Sequence, residues 1–143
     1  MSEENKTRVK EFYEEVINAH NIDHFKDFLT DDFVEHEDIT QYGLTPDKAG
    51  VMEWFGRLLT AFPDLTMTQE DVAAEGDKVW CRIRVQGTNT GEMMGMPATG
   101  KSIDVQTIDV IALRGSRAYA HWGVTDNALM MQQLGVMPAP TAG

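Results

Sequence analysis

The first part of the chain carries apolar residues at the helical period. Val9, Phe12, Tyr13, Val16 and Ile17 recur three and four apart with charges between them, which predicts an amphipathic helix ending near His20 and Asn21. Ile22, Phe25, Phe28 and Leu29 fall on one side of a second, shorter helix, and Phe33 to His36 leaves it as an extended segment. Thr45-Pro46 reads as a helix start, an N-cap followed by proline at the first helical position. Val51, Phe55, Leu58, Leu59 and Phe62 line one face of that helix until Pro63 stops it. From Leu65 the period changes. Leu65 to Ala74 runs extended to a turn at Glu75-Gly76-Asp77. Val79, Cys81, Ile83 and Val85 then alternate with Trp80, Arg82, Arg84 and Gln86, the signature of a half-buried strand. After a loop at Gly87–Lys101 come two more strands, Ser102–Leu113 and Arg117–Val124, joined at Arg114-Gly115-Ser116. A short helix, about Asn127 to Leu134, ends at Gly135. Helices first and an antiparallel meander afterwards define an α+β class. The helices are expected to pack on one face of a strongly curved sheet, leaving a cavity between the layers.

Strand parity then points to chemistry. Ile103, Val105, Thr107, Asp109, Ile111 and Leu113 share one face of their strand, so Asp109 is a carboxylate on an otherwise core-like face. A carboxylate in apolar surroundings is costly unless paired, and its pKa rises, which suits a general acid or base near neutral pH. The competing role is a buried Asp that only holds a histidine or a backbone amide. On the next strand Tyr119, His121 and Gly123 share a face, and the turn at Gly115 makes His121 and Asp109 neighbours across the ladder. Such a pair is a proton-transfer unit in which the carboxylate sets the tautomer and stabilises the imidazolium. Thr107, Tyr119 and His121 are candidate donors to a substrate oxygen. Met93, Met94 and Met96, between the Thr90-Gly91 and Thr99-Gly100 turns, form an adaptable apolar lip suited to a pocket mouth. Trp54, on the flank of its helix, is placed to line the same cavity. Asp126 stands between the last strand and the last helix, as a pocket residue or as a helix N-cap.

Composition narrows the partners. The chain has 143 residues and reads as a single domain, 1–143, with 139–143 a flexible tail. A net charge of −11 argues against nucleic acid and anionic membranes as partners. The N-terminus shows no secretory leader, and no apolar run is long enough to span a bilayer. Cys81 is the only cysteine, so no internal disulfide forms; this fits a reducing cytoplasm. Cys81 itself reads as a small core residue. The four histidines show no HxH or HxxxH spacing, no nucleotide-binding glycine pattern follows a strand, and there is no GxSxG element. Neither a metal nor a cofactor is expected.

Phe62-Pro63-Asp64-Leu65, Gly76-Asp77-Lys78-Val79, the Gly87–Lys101 run, His121-Trp122 with Asp126, and Gln133-Leu134-Gly135 together resemble the SnoaL-like polyketide cyclases of the nuclear-transport-factor-2-like superfamily. The resemblance covers about Val9 to Gly135. It implies a conical cavity between the helices and the concave face of the sheet, a homodimer, and intramolecular aldol ring closure without metal or cofactor. His36 matches a family position near the pocket mouth, and Asp126 matches the family's Asp five residues after the His of the His-Trp pair. In the characterised cyclases an aspartate on the last long strand is the acid/base, helped by a Gln and a His on the preceding strand. Placed by the Gln-Leu-Gly ending, that aspartate falls on Gly123, and the Gln and His fall on Thr107 and Asp109. The chain thus lacks the family's acid/base where the family has it, and Asp109 supplies a carboxylate across the strand pair.

Three functions are compatible with this pattern. The first is a cofactor-free enzyme, a cyclase or isomerase, acting on a small, largely apolar carbonyl compound through Asp109 and His121. The second is epoxide-hydrolase-like water activation, which needs an arginine beside the carboxylate; by parity Arg82 and Arg84 point the other way. The third is a non-catalytic ligand-binding or dimerisation module using Trp80, Arg82, Arg84 and Trp122 as an interface.

Overall fold

The amphipathic N-terminal stripe forms α1 (Ser2–Glu11), which continues into a π-helical segment, Phe12–Asn18. Such wide turns are rare and cluster at functional sites; this one buries Tyr13, Val16 and Ile17. The computed structural model describes residues 2–137, so the tail expected at 139–143 lies outside the described residues. A 3₁₀ segment, Ile22–Phe28, buries Phe25 and Phe28 and leads into β1 (Leu29–Glu35). Helix α2 (Lys48–Ala61) begins two residues later than Thr45-Pro46 predicts. Its cap is Asp47, whose carboxylate accepts the Gly50 N–H at 3.0 Å and the Thr45 hydroxyl at 2.7 Å. Asp47 does this better than Thr45 because Pro46 is engaged elsewhere, giving its carbonyl to the Glu35 N–H.

Strands β2 (Thr66–Glu75), β3 (Lys78–Thr88), β4 (Ser102–Arg114) and β5 (Arg117–Thr125) form the expected antiparallel meander, and α3 (Asn127–Gln133) follows. The sheet order is β1-β5-β4-β3-β2. The sheet is therefore mixed rather than purely antiparallel, because β1 adds parallel to β5 with Glu35 in register with His121. A parallel neighbour requires a long crossover, here everything from His36 to Ser116. The helices cover one face of the sheet. Their apolar residues meet Val79, Cys81, Ile83, Ile103, Ile111 and Leu113 in one core, in which Val16, Ile17, Phe62, Val79 and Ile83 are fully buried. The other face is open. It carries Trp80, Ile108, Trp122 and Val124, with Arg82 paired to Asp71 and Arg84 to Asp104.

One buried amide organises the methionine loop. Asn89 is 1% exposed; its Nδ2 donates to the carbonyls of Ala61 and Gly91, and its Oδ1 accepts the N–H and hydroxyl of Thr99. Gly91 donates its N–H to Ala61 and lies so close to α2 that a Cβ there would meet the Thr60 carbonyl oxygen at 1.8 Å. Gly91→Ala is expected to push the loop off the helix end and to cost about 1–3 kcal/mol, the usual range for overpacking. A thermal unfolding midpoint equal to the wild type would show that the loop is not docked in this way.

Candidate active site

Pairing register brings the chemistry together. Across β4 and β5, Asp109 stands opposite Gly123 and Ile111 opposite His121, so Asp109 and His121 are diagonal neighbours on the concave face. His121 Nε2 lies 2.9 Å from Asp109 Oδ1. The parallel pairing of β1 with β5 puts Glu35 on the other side of the ring, with Oε1 2.5 Å from His121 Nδ1. From the π-helical segment, the Tyr13 hydroxyl donates to Asp109 Oδ2 at 2.5 Å. Four side chains from four elements thus form one chain, Tyr13–Asp109–His121–Glu35. It lies in the wall of a cavity of about 590 Å³ whose remaining lining is largely apolar and aromatic. Asp109 and Glu35 are 6% and 5% exposed.

Electrostatics follow from that arrangement. Burial alone would discharge the His121 ring, but hydrogen bonds to Asp109 and Glu35, together with their charges, outweigh it and hold His121 well above its ordinary 6.5. When charged, the ring donates from both nitrogens, to Asp109 and to Glu35. Burial first, then the negative charge of Asp109, raises the Tyr13 phenol well above 10, so its hydroxyl stays a donor. Glu37, in the bend two residues beyond Glu35, also lines the cavity. Burial raises its carboxyl above the usual 4.5; His121 opposes the rise, while Asp109 and Glu35 add to it. Cys81 is pushed up to about 11 by burial, which keeps it an inert thiol.

The residues singled out by sequence are placed unevenly. Trp54, Met93, Met94 and Thr107 line the cavity with Asp109 and His121. Trp54 stacks on Tyr42 with centroids 4.8 Å apart, and the Thr107 hydroxyl donates to the Val124 carbonyl. His36 does not line the cavity. It follows the end of β1 and stacks on Trp122 on the outer face at 4.6 Å, while its neighbours Glu35 and Glu37 turn inward to the cavity. Tyr119 does not line it either. The register slips between Ala112 and Leu113, which makes Tyr119 the extra residue of a bulge, and its hydroxyl donates to Asp77. Asp126 caps α3, accepting the Leu129 N–H at 3.2 Å. Arg82 and Arg84 are on the outer face in their ion pairs, so neither guanidinium reaches Asp109.

Sequence patterns alone do not single out Tyr13, Glu35 and Glu37. The signal for the glutamates is the alternation Phe33, Glu35, Glu37, which shares a face; the acidic run around them reads as solvent-exposed. Among the described residues no group of three or more His, Cys, Asp or Glu side chains is arranged to hold a metal ion.

The family model of SnoaL-like polyketide cyclases matches residues 7–134, and the chain belongs to that family. The chain is similar to the proposed hydroxylase AclR from Streptomyces galilaeus at 24% identity and a TM-score of 0.84, covering 96% of this chain and 85% of that one. It is similar to IdmH, a proposed polyketide cyclase from Streptomyces antibioticus, at 29% identity and a TM-score of 0.79, over 92% of this chain and 99% of the other. A proposed polyketide cyclase from Acidithiobacillus ferrooxidans is 27% identical with a TM-score of 0.80, over 92% and 94% of the two chains. No curated protein matches the chain.

Proposed function

We propose that the protein is a cofactor-independent enzyme that moves protons next to a carbonyl group of a small, largely apolar compound, as in aldol ring closure or isomerisation. The observation that carries this reading is the hydrogen-bonded chain Tyr13–Asp109–His121–Glu35 in the wall of an apolar cavity. Family membership and the cyclase assignments of its structural relatives support it. In this reading Asp109 is the acid/base group at the substrate oxygen, held in place by the Tyr13 hydroxyl that donates to it. The His121 imidazolium has both N–H groups engaged and acts mainly as a fixed positive charge beside the developing oxyanion. Trp54, Met93, Met94 and Thr107 shape the guest, and the rotatable thioethers let the mouth adapt.

The test is hydrogen–deuterium exchange in D₂O at the carbons flanking the carbonyl of apolar bicyclic ketones, beginning with 2-tetralone. Exchange above the buffer rate, lost on thermal unfolding, is expected. Absence of exchange across ketones and 1,3-diketones that bind the cavity would overturn the reading.

A homodimer is part of the same proposal. Trp80, Ile108, Trp122 and Val124 give the outer face an apolar centre, and Arg82 and Arg84 give it a polar rim. Sedimentation at micromolar concentration should report a dimer; a strict monomer would refute it. No described helix is long and apolar enough to cross a membrane. The cytoplasm is the compartment proposed, on the strength of the acidic composition and the single reduced cysteine.

A further inference from the structure

Three acids approach one histidine in the cavity wall, and two of them are hydrogen-bonded to its ring, although Glu35 Oε2 is itself buried without a partner. Glu35 faces His121 Nδ1, and Asp109 is held between Tyr13 and His121 Nε2. The third, Glu37, lines the cavity, and its carboxyl makes no hydrogen bond to another described side chain or amide. Its seat is defined by an absence. A Cβ on Gly123 would lie 2.7 Å from Glu37 Oε1, 2.9 Å from His121 Cε1 and 3.0 Å from Asp109 Oδ1. The first two contacts are closer than a real Cβ shows, so any side chain at residue 123 would make the Glu37 carboxyl or the His121 ring shift. Glycine at 123 lets a carboxyl from the segment after β1 settle over β5 instead.

We propose that Glu37 is a catalytic residue, the base that takes the proton from substrate carbon and later gives it back, and that Gly123 is the positioning residue that seats it. The inference rests on the acid/base reading above and assigns its second half. Asp109 and Tyr13 serve the oxygen end of the carbonyl compound, and Glu37 serves the carbon end. In the forward step the Glu37 carboxylate forms an O–H bond as the C–H bond beside the carbonyl breaks. The electron pair becomes the C=C of an enolate, whose charge rests on the oxygen near Tyr13 and His121. In the return step the same proton goes to a different carbon, completing an isomerisation. Alternatively, the enolate carbon attacks a second carbonyl of the same molecule, a C–C bond forms, and the proton goes to the new alkoxide. No oxidant or further reactant is needed.

The groups that face Glu37 agree with this role. Glu35 and Asp38 on its own segment, Asp109 from β4, His121 from β5 and Tyr13 from the π-helical segment surround the same part of the cavity. Burial lifts the Glu37 carboxyl above its usual 4.5; His121 opposes the rise, and the charges of Asp109 and Glu35 add to it. A base whose pKa is lifted toward the working pH is better matched to carbon acids than an ordinary carboxylate.

The experiment uses the whole protein and 2-tetralone. Glu37→Gln is expected to lower exchange turnover by about 10²–10⁴-fold, the usual worth of a positioned acid or base, while the dissociation constant of the ketone, read from Trp fluorescence, changes less than about threefold. The acid limb of the wild-type pH–rate profile should be absent in Glu37→Gln and shifted in Gly123→Ala. Infrared difference spectra across that limb should show a protonated-carboxyl band in the wild type that is missing in Glu37→Gln. An active wild type alongside a Glu37→Gln variant that keeps more than a third of its turnover, or a band that persists in the variant, overturns the assignment and leaves the broader reading standing. A wild type that exchanges no bound ketone overturns both.

Discussion

Asparagine in place of Asp109 is expected to lower turnover by about 10²–10⁴-fold while the fold survives. The amide has the shape of the carboxylate and can still accept from Tyr13, so no cavity opens. It carries no charge and cannot take up a proton between Tyr13 and the substrate oxygen. It also presents N–H donors toward a ring nitrogen that is itself a donor when the imidazolium is charged. The mismatch costs about 1–3 kcal/mol of stability, the penalty for one ill-satisfied buried polar group. Exchange rate and unfolding midpoint are measured on the same preparation. A folded Asp109→Asn protein that turns over at the wild-type rate removes Asp109 from the chemistry.

The second large effect is on stability against pH. The folded pKa of His121 is raised, so the folded protein holds this proton more tightly than the unfolded chain does. The stability it contributes is complete below the unfolded value of 6.5 and is lost as pH rises through the higher folded value. Within that window its share of the slope is about 1.4 kcal/mol per pH unit. Glu37, also raised, acts in the same direction from 4.5 upward. Asp32, Asp47, Asp64 and Asp104 oppose them. Hydrogen bonds from Arg114, Thr45, the Thr88 amide and Arg84, respectively, lower these carboxyls below 3.8, so their contribution is present above that value and lost only in stronger acid. The protein should therefore be most stable in the mildly acidic range and weaken steadily above pH 6.5. Denaturant unfolding from pH 5 to 10 at constant ionic strength checks this. His121→Gln should flatten the alkaline side; curves that stay parallel would show that the ring is neutral in the fold.

Much of this site is legible in the sequence, for a definite reason. Along β4, burial alternates from Ser102 to Asp109, so a lone acid on the apolar face stands out, and the hairpin turn at Gly115 ties His121 to it. What stays hidden follows equally physical lines. Tyr13 sits in a helical stripe, where a phenol reads as core until its hydroxyl finds a partner 96 positions away. The pairing of β1 with β5 joins Glu35 to His121 across 86 positions, and no local pattern announces so distant a parallel neighbour. Tyr119 is misplaced by one residue of bulge, which parity counting does not see. The start of α2 reads at Thr45-Pro46 because proline marks a first turn, although Asp47 reaches the free amides. Fold class rests on periodicity and survives such slips; a side chain's facing does not.

The reactive centre draws Tyr13, Glu35 and Glu37 from before the hairpin at Gly76 and Asp109 and His121 from after it. A chain nicked at that tip would yield two pieces, each inert for lack of the other's groups. Proton exchange would then appear only on reassociation, making the protein a natural reporter for fragment complementation.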